Sequence, residues 1–474
     1  MLMLSEIAKA VGGRMQGADV LCESVGSDSR NIVKNQLFVG IKGERFDGSA
    51  YAKEAIKQGA VAALVADETL FAKSQASPAV VVADARLALG QLAKYWRNKF
   101  KVSLVAVTGS NGKTTVKEMI AAILAASNSN VLATKGNLNN DIGMPMTLLK
   151  LRKENAYAVI EMGMSHEGEI RNLTNIAQPS VALINNAGTA HIGEVGSREA
   201  IARAKGEIFE GLSDDGIAII NADDDFAEYW KSLNLKRKVI TFGLKNEADV
   251  SATYQINGNL TSVHLNTPNG QAKFDIRVLG VHNIYNALAA SAAAVALGIS
   301  NEEIATGLTG FGAVKGRLNW LAGLNGAVVI DDTYNANPDS MRAALDVLAN
   351  KKTVQVFVMG DMGELGLDAG RMHAEIGAYA RQKNIDRLFT FGELSVQAAT
   401  AFGENAVHFS SLEQANLAAL ITTLKPLMHK GVTLLVKGSR FMQMERVVKE
   451  ITEKETIVKQ VADTNNQLEA KPCC

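Results

Sequence analysis

The chain of 474 residues is long enough for about two to four domains of ordinary size. Hydrophobic residues make up 47% of the chain and charged residues 21%, proportions that are typical of globular proteins. The 49 basic and 49 acidic residues balance, so no overall field favours nucleic acid or a membrane surface, and we expect neither partner.

The cysteines and the first residues indicate a reducing cytoplasm. The 3 cysteines, Cys22, Cys473 and Cys474, are too few for a disulfide framework or a metal cluster. The opening "MLMLSEIAKAVGG" lacks a basic leader and carries Glu6 within its apolar stretch, which argues against a signal peptide. We therefore expect a cytoplasmic protein without membrane insertion, and we expect a monomer.

Along the chain, short apolar runs alternate with helical patterns, which predicts an α/β fold with parallel sheets. The strand-like runs are "VAALVA", "AVVVAD", "VSLVAVTG", "YAVIEMG", "SVALINNAG", "GIAIINAD", "AVVIDD", "VQVFVMGD" and "TLLVKG". The helical patterns between them include "TVKEMIAAILAAS" and "REAIARAKGEIFEGL". The Ala-rich "YNALAASAAAVALGI" is too short for a membrane span and predicts a buried helix.

One segment, residues 249–280, breaks this alternation. Its polar and apolar residues alternate around "NGN" and "PNG" turns, which predicts antiparallel hairpins attached to the middle of the chain. Two basic stretches, "KYWRNKFK" at 94–101 and "FGAVKGRLNW" at 311–320, mark connectors. We therefore predict three domains, 1–98, 99–314 and 315–474, and an unstructured polar tail over the last residues.

The stretch "VAVTGSNGKTT", Val105 to Thr115, resembles a phosphate-binding loop. Val107 stands where the standard pattern has its first glycine, but a strand precedes the loop and a helix follows it. Backbone N–H groups at such a helix start hold phosphate oxygens, Lys113 adds a positive charge, and Thr114 offers its hydroxyl to Mg²⁺. The alternative is a glycine-containing turn with an incidental lysine.

Polar residues at the ends of other strands are candidates for the chemistry. Glu161 terminates an apolar run, where a second acid would help to hold a metal. His191 follows the next strand at the same edge and is suited to a metal or substrate role. The alternatives are a solvated carboxylate and a packed histidine.

Three further groups each allow two interpretations. Asn137, Asn139 and Asn140 in "TKGNLNNDIGMP" suit a polar ligand, although the residues alone favour an ordinary turn. In "VHNIYNALAA", Asn283 and Asn286 share a helical face and could contact a base or ribose, or Asn283 could cap the helix. The remaining candidates end later strands and are Asp331, Asp332, Asp361, Glu364, Lys437 and Arg440.

Taken together, these segments resemble the Mur ligase family, ATP-dependent amino-acid ligases of peptidoglycan synthesis, over nearly the whole chain. The segments that carry the resemblance are "TGSNGKTT", "GVHNIYN", "SDSRNIVKNQLFVGIKGERFDG", "NLNNDIGMPMTLL", "DDTYNANPDSM", "GDMGELG" and "VKGSR". Within the family they are similar to the ligases that join D-Ala-D-Ala to UDP-N-acetylmuramoyl-tripeptide.

The resemblance implies three domains: an N-terminal one for the UDP-sugar, a central phosphate-loop domain for ATP, and a C-terminal Rossmann-like one for the dipeptide. It implies that the phosphates of ATP contact Thr108, Gly109, Ser110, Asn111, Gly112, Lys113, Thr114 and Thr115. It implies that the rest of the nucleotide contacts Asn283, Arg317 and Asp332, with the choice between Asp331 and Asp332 open. It implies a UDP-sugar role for Ser29 and Arg30, and a muramoyl-peptide role for Asn139 and Asn140.

The resemblance also implies the catalytic and metal-binding residues, which are Lys113, Thr114, Glu161, His191 and Lys205. Lys205, in "ARAKGEIF", matches the lysine that such ligases carry as a carbamate able to hold a second Mg²⁺. By its own pattern Lys205 would be a solvated helix lysine.

The implied reaction forms an acyl phosphate on the peptide carboxylate and then an amide with the dipeptide amine. Lys113 and Mg²⁺ would offset the charge of the two anions in the first step. Alternatives are a MurE-type ligase that adds the third amino acid, a folylpolyglutamate synthase or, in another class, a nucleotide-dependent switch.

Overall fold

The computed structural model describes residues 1–43, 46–66, 77–127, 129–257, 260–312, 314–410 and 413–453. The chain divides into two compact units, Met1–Gly312 and a second unit that follows Gly312. The predicted boundaries at 98/99 and 314/315 stay predictions, but the α/β architecture with parallel sheets is confirmed.

The first unit begins with a two-stranded sheet and a larger, mostly parallel sheet. Their strands are β1 (Leu2–Met3), β2 (Arg14–Gln16), β3 (Leu21–Cys22), β4 (Ser24–Gly26), β5 (Gln36–Val39), β6 (Ala62–Val65) and β7 (Ala79–Val81), and the helices of this part are α1 (Leu4–Ala10), α2 (Ala52–Lys57) and α3 (Ala85–Arg97). β1 pairs with β3, and the larger sheet has the order β2-β7-β6-β5-β4, in which only β2 is antiparallel.

A six-stranded parallel sheet follows, in the order β13-β12-β11-β8-β10-β9. Its strands are β8 (Ser103–Thr108), β9 (Val131–Ala133), β10 (Tyr157–Glu161), β11 (Val181–Ile184), β12 (Ile217–Asn221) and β13 (Lys238–Phe242). Its helices are α4 (Lys113–Ala126), α5 (Gly143–Leu148), α6 (Glu169–Ala177), α7 (Ile192–Val195), α8 (Arg198–Gly206) and α9 (Ala227–Ser232). The central strands are buried on both faces, as an apolar parallel strand should be.

The predicted hairpins form an antiparallel sheet of β14 (Ser251–Asn257), β15 (Leu260–Thr267) and β16 (Gly270–Ile276). Its second turn ends at Gly270, whose φ of 111° suits a residue without a Cβ. The first predicted turn includes residues 258–259, which lie outside the described residues. Two helices complete the unit, α10 (Val281–Ala296) and α11 (Asn301–Thr309), and both pack on α4.

The second unit is a six-stranded sheet in the order β17-β18-β22-β19-β20-β21, with β17 antiparallel. The strands are β17 (Asn319–Ala322), β18 (Val328–Asp332), β19 (Val354–Gly360), β20 (Arg387–Phe391), β21 (Ala406–Phe409) and β22 (Val432–Lys437). The helices are α12 (Pro338–Ala349), α13 (Ala369–Gln382), α14 (Val396–Phe402), α15 (Gln414–Leu424) and α16 (Glu445–Ile451). A parallel core with alternating helices agrees with the Rossmann-like expectation.

Two stretches test particular expectations. The Ala-rich segment forms α10, which is buried at nearly every position from Asn283 to Ala294. No helix in the described ranges is long and apolar enough to cross a membrane. The stretch 94–101, expected to be a connector, is instead the end of α3 and the turn after it. Trp96 is buried and its indole N–H donates to the Leu151 carbonyl (3.2 Å), so burial of this side chain fixes the stretch.

The packing of α13 against α14 gives a stability prediction. A Cβ added at Gly377 would collide with the Ala398 carbonyl, whereas one added at Gly370 in the same helix would approach only the Gln397 side chain at 3.8 Å. We expect Gly377→Ala to lower the free energy of unfolding of the second unit by about 1–3 kcal/mol, because the helices must separate. Gly370→Ala should leave it unchanged or raise it by up to about 1 kcal/mol. Urea unfolding of both full-length variants measures this, and equal stabilities would contradict the close helix contact.

Candidate active site

The phosphate-loop segment connects β8 to α4 at the centre of the parallel sheet. Gly112 adopts φ 81°, and α4 begins at the next residue. The backbone N–H groups in the first turn of α4, which have no partner within the helix, are therefore next to the loop. The ammonium of Lys113 lies over the loop and donates to the carbonyls of Gly109 (2.6 Å) and Ser110 (3.3 Å). Thr115 is buried in the same turn. This geometry is that of an anion-binding helix start.

Glu161 lies beside this loop because β8 and β10 are parallel neighbours with Val107 opposite Glu161. Its side chain is buried, and both carboxylate oxygens accept hydrogen bonds. The Thr114 hydroxyl donates to Oε2 (2.9 Å), and the Asn139 amide donates to Oε1 (2.8 Å). The structure thus brings together three predicted site residues: the hydroxyl of Thr114, the carboxylate of Glu161 and the amide of Asn139.

Asn186, which the sequence reasoning missed, supports the loop from the end of β11. Its carbonyl accepts from the Ser110 N–H (2.9 Å), and its side-chain oxygen accepts from the Asn111 N–H (2.9 Å). The Thr108 hydroxyl donates to the Met162 carbonyl on the other side (2.9 Å). The loop is therefore held by neutral hydrogen bonds from both neighbouring strand ends. The sequence signal for Asn186 is the pair "NN", which directly follows the apolar run of β11.

A second line of amides connects the loop to α10. Asn185 donates to the Asn111 carbonyl and to the Asn286 side-chain oxygen, both at 2.9 Å, and Asn286 donates to Asn283 (3.0 Å). Asn283 in turn donates to the Leu279 carbonyl (2.8 Å). The predicted nucleotide residue Asn283 is thus joined to the loop through two other asparagines.

Lys205 on α8 is buried, with an exposed fraction of 1%, which differs from the solvated lysine that its sequence pattern suggests. Burial lowers the pKa of its ammonium well below the ordinary value, and the charge of Lys113 lowers that pKa further, while Asp224 opposes both. Burial likewise raises the pKa of Asp224. The surroundings of Lys205 therefore disfavour its ammonium form more than water does for an exposed lysine.

His191 lies in the loop after β11 and precedes α7 with a left-handed backbone of φ 63°. Its carbonyl accepts from the N–H groups of Glu194 (3.1 Å) and Val195 (3.0 Å), which fixes the backbone of this turn. The position at the carboxyl edge of the sheet agrees with the expectation, while the metal and catalytic roles of His191 stay predictions.

The remaining substrate candidates make local contacts. The Asn140 side-chain oxygen accepts from the Gly143 N–H (2.8 Å) at the start of α5, as an ordinary turn residue would. The guanidinium of Arg30, next to Ser29, pairs with Asp28 at 2.8 Å and is mostly exposed. Hydrogen bonds from Ser29 or Arg30 to the phosphate loop are absent from the described part of the chain, and their UDP-sugar role stays a prediction.

Arg317 and Asp332 lie in the second unit, close to each other. Asp332 pairs with the buried Lys437 ammonium (2.6 Å) and accepts from the Leu318 N–H (3.1 Å). The Arg317 guanidinium carbon lies 4.1 Å from the centre of the Tyr334 ring.

The neighbouring Asp331 behaves differently from Asp332. It accepts from the Thr333 hydroxyl (2.6 Å), and burial raises the pKa of the Asp331 carboxyl. Asp332 pairs with Lys437 and holds the backbone beside Arg317, and its nucleotide role stays a prediction.

Fold and site together define an α/β protein with a phosphate-binding loop beside a buried carboxylate, and the chain belongs to the Mur ligase family. Three models of that family match it: the Mur ligase family catalytic domain at residues 22–97, the Mur ligase middle domain at 107–294, and the Mur ligase glutamate ligase domain at 316–440.

Individual relatives are more specific. The chain is 42% identical to the UDP-N-acetylmuramoyl-tripeptide–D-alanyl-D-alanine ligase of Escherichia coli (strain K12), over 96% of this chain and 99% of that one. Its structure is similar to a crystal structure of MurF from Acinetobacter baumannii, with a TM-score of 0.88, 37% identity, and coverage of 95% and 98%. A MurF ligase from Thermotoga maritima in complex with ADP gives a TM-score of 0.79 at 27% identity, with coverage of 91% and 97%.

The amide contacts around Gly112 yield a binding prediction. A Cβ at Gly112 would collide with Asn286 and Asn185, so Gly112→Ala should weaken ADP binding by about tenfold or more as the loop shifts. Gly136→Ala is the matched control, because Gly136 also has positive φ (57°) but an added Cβ would meet no described atom within 4 Å. Titration calorimetry with ADP and Mg²⁺ measures both variants. Equal losses would indicate backbone strain alone and contradict the role of the two asparagines.

Proposed function

We propose that this chain is an ATP-dependent ligase that joins D-alanyl-D-alanine to UDP-N-acetylmuramoyl-tripeptide. The observation that carries the proposal is the similarity over almost the full length of both chains to the Escherichia coli ligase of that name. The loop geometry supports the nucleotide part, because a helix start, a lysine and a hydroxyl–carboxylate pair meet at one sheet edge.

The chemistry of the donor set fits Mg²⁺ bound together with a nucleotide. Thr114 and Glu161 offer two hard oxygen donors 2.9 Å apart beside the loop. Clusters of three or more His, Cys, Asp or Glu side chains suited to a metal are absent from the described residues, so phosphate oxygens and water would complete the coordination. Bound there, Mg²⁺ would neutralise the developing charge between the phosphates.

The reaction that these residues would support has two balanced steps. The peptide carboxylate of the UDP-sugar substrate attacks the γ-phosphorus of ATP, which gives an acyl phosphate and releases ADP. The amine of D-Ala-D-Ala then attacks the acyl carbon, and the amide forms with loss of phosphate and a proton. Lys113 would hold the β- and γ-phosphates in line with the carboxylate, and Glu161 would orient Thr114.

Lys205 suits a carbamate. Carbon dioxide adds to a neutral amine, and the burial of Lys205 next to the positive charge of Lys113 favours that form. The product is an anion, which the nearby Lys113 ammonium would stabilise. The lysine would then provide oxygen ligands for a second Mg²⁺.

The other parts of the proposal rest on the family resemblance and on composition. The second unit would bind the dipeptide, and its Arg317 and Asp332 would contact the nucleotide. His191 would act at the reacting centre, and Ser29, Arg30, Asn139 and Asn140 would contact the UDP-sugar substrate. The cysteine content supports a cytoplasmic location, and the monomeric state stays a prediction.

The proposed activity predicts which acceptor releases phosphate. With ATP, Mg²⁺ and UDP-N-acetylmuramoyl-tripeptide, phosphate release should depend on added D-Ala-D-Ala, because a ligase must keep water from hydrolysing its acyl phosphate. Free D-alanine, L-lysine, diaminopimelate and L-glutamate are the matched acceptors for the alternatives. Turnover with a free amino acid would favour a MurE-type or folylpolyglutamate-type ligase, and turnover that ignores every acceptor would favour a nucleotide-dependent switch.

The carbamate proposal predicts a labelled lysine. In ¹³C-bicarbonate near pH 7.5, the protein should show a carbamate carbon resonance, because the Lys205 amine loses its proton below the usual pKa of about 10.4. Lys205→Met should abolish this resonance and lower the ligase rate by roughly 100-fold. Lys231→Met is the control, since the ammonium of Lys231 is partly exposed and pairs with Glu228. A resonance that persists in Lys205→Met would place the carbamate elsewhere.

A further inference from the structure

Lys117 is a buried ammonium for which the proposed reaction has no use. It lies one turn after Thr114 on α4, so the two side chains share a face of the helix. Its side chain has an exposed fraction of 0%. The ammonium donates to the Thr134 carbonyl (2.6 Å) and pairs with Glu118 (2.6 Å). A cation is rarely buried so completely unless its partners are fixed.

The acceptor of this hydrogen bond, Thr134, is itself buried at the end of β9 and contacts β10 twice. Its N–H donates to the Val159 carbonyl (3.0 Å), and its hydroxyl oxygen accepts from the Glu161 N–H (2.9 Å). Thr134 therefore links the Lys117 ammonium to the backbone of the residue whose carboxylate meets Thr114.

These contacts form a closed ring. From α4, the Thr114 hydroxyl reaches the Glu161 carboxylate directly, and Lys117 reaches the Glu161 backbone through Thr134. Two points of attachment fix both the position and the direction of the carboxylate relative to the phosphate loop. The Asn139 amide holds the other carboxylate oxygen, and the ring adds an attachment of the Glu161 backbone that these side-chain hydrogen bonds do not provide.

We propose that Lys117 and Thr134 are positioning residues that hold the Glu161 carboxylate in the orientation needed for nucleotide-bound Mg²⁺. This proposal rests on the proposed function for the identity of the metal–nucleotide ligand. It goes beyond that function by giving a role to two residues that touch neither substrate nor metal. Residues behind a metal ligand commonly set its affinity in this way.

The test compares two substitutions at Thr134. Thr134→Val keeps the shape and removes the hydroxyl acceptor, whereas Thr134→Ser keeps the hydroxyl. Isothermal titration calorimetry measures ADP binding by the full chain at a series of Mg²⁺ concentrations and once in EDTA. We expect Thr134→Val to raise the Mg²⁺ concentration needed for tight ADP binding by roughly tenfold. Binding in EDTA should not change, and Thr134→Ser should resemble the parent protein.

Lys117→Met provides the second arm. It should raise the Mg²⁺ requirement to a similar degree, and the double variant with Thr134→Val should be no worse than the stronger single variant, since both act through one chain of contacts. Additive effects would contradict the ring. If Lys117→Met does not fold, the comparison of Thr134→Val with Thr134→Ser still decides.

A purely structural role has a different signature. Thermal unfolding of each variant would then show a lower Tm, while the Mg²⁺ dependence of ADP binding would equal that of the parent, and the proposal would be wrong. Because the measured quantity is ADP binding, the test does not depend on which acceptor substrate the ligase uses. A parent protein that binds Mg²⁺–ADP without D-Ala-D-Ala ligase activity would overturn the proposed function and leave the positioning test intact.

Discussion

The parallel register of β8 and β10, which sets Val107 opposite Glu161, fixes where the Thr114 hydroxyl meets its carboxylate. Parallel strands end at the same edge of a sheet, so the helix after β8 and the acid that ends β10 are necessarily neighbours. A slip of one residue would turn Glu161 to the opposite face of the sheet. The hydroxyl–carboxylate pair, and with it every proposed metal contact, depends on that register.

Around this pair, the Lys113 ammonium contacts the loop from within, and the neighbouring elements hold it with amide groups. Asn185 and Asn186 after β11 satisfy backbone groups of the loop, and Asn286 on α10 accepts from the Asn185 side chain, all without adding net charge. A nucleotide and its metal ion bring large charges of their own, and carboxylates in addition to Glu161 would repel the phosphates. Neutral donors and acceptors preserve the positive potential of the helix start and of Lys113. The amides thus give rigidity at little electrostatic cost.

The sequence predicted those features that are local. The strands and the phosphate-loop segment depend on patterns within about ten residues, and Glu161 and His191 were found because strand ends share an edge. The ring through Lys117 and Thr134 could not be found in this way, because its partners join three separate elements. The stretch 94–101 has the composition of a connector, but Trp96 is buried and donates to the carbonyl of Leu151, which is distant in sequence. Lys205 shows the same limit, since a lysine pattern does not reveal burial.

Lys117 and Lys205 are both buried near the same loop, yet their surroundings give them opposite chemistry. Lys117 has a carbonyl and a carboxylate as partners, which compensate the cost of burying its charge. Lys205 faces the charge of Lys113, and in the described structure no hydrogen bond or ion pair involves its ammonium, so burial lowers its pKa. One environment stabilises a fixed cation that can orient a neighbour. The other disfavours the ammonium form, which is the condition that the proposed carbamate at Lys205 requires. The same residue type is therefore suited to hold Glu161 from one side and, in the proposed function, to extend the metal site from the other.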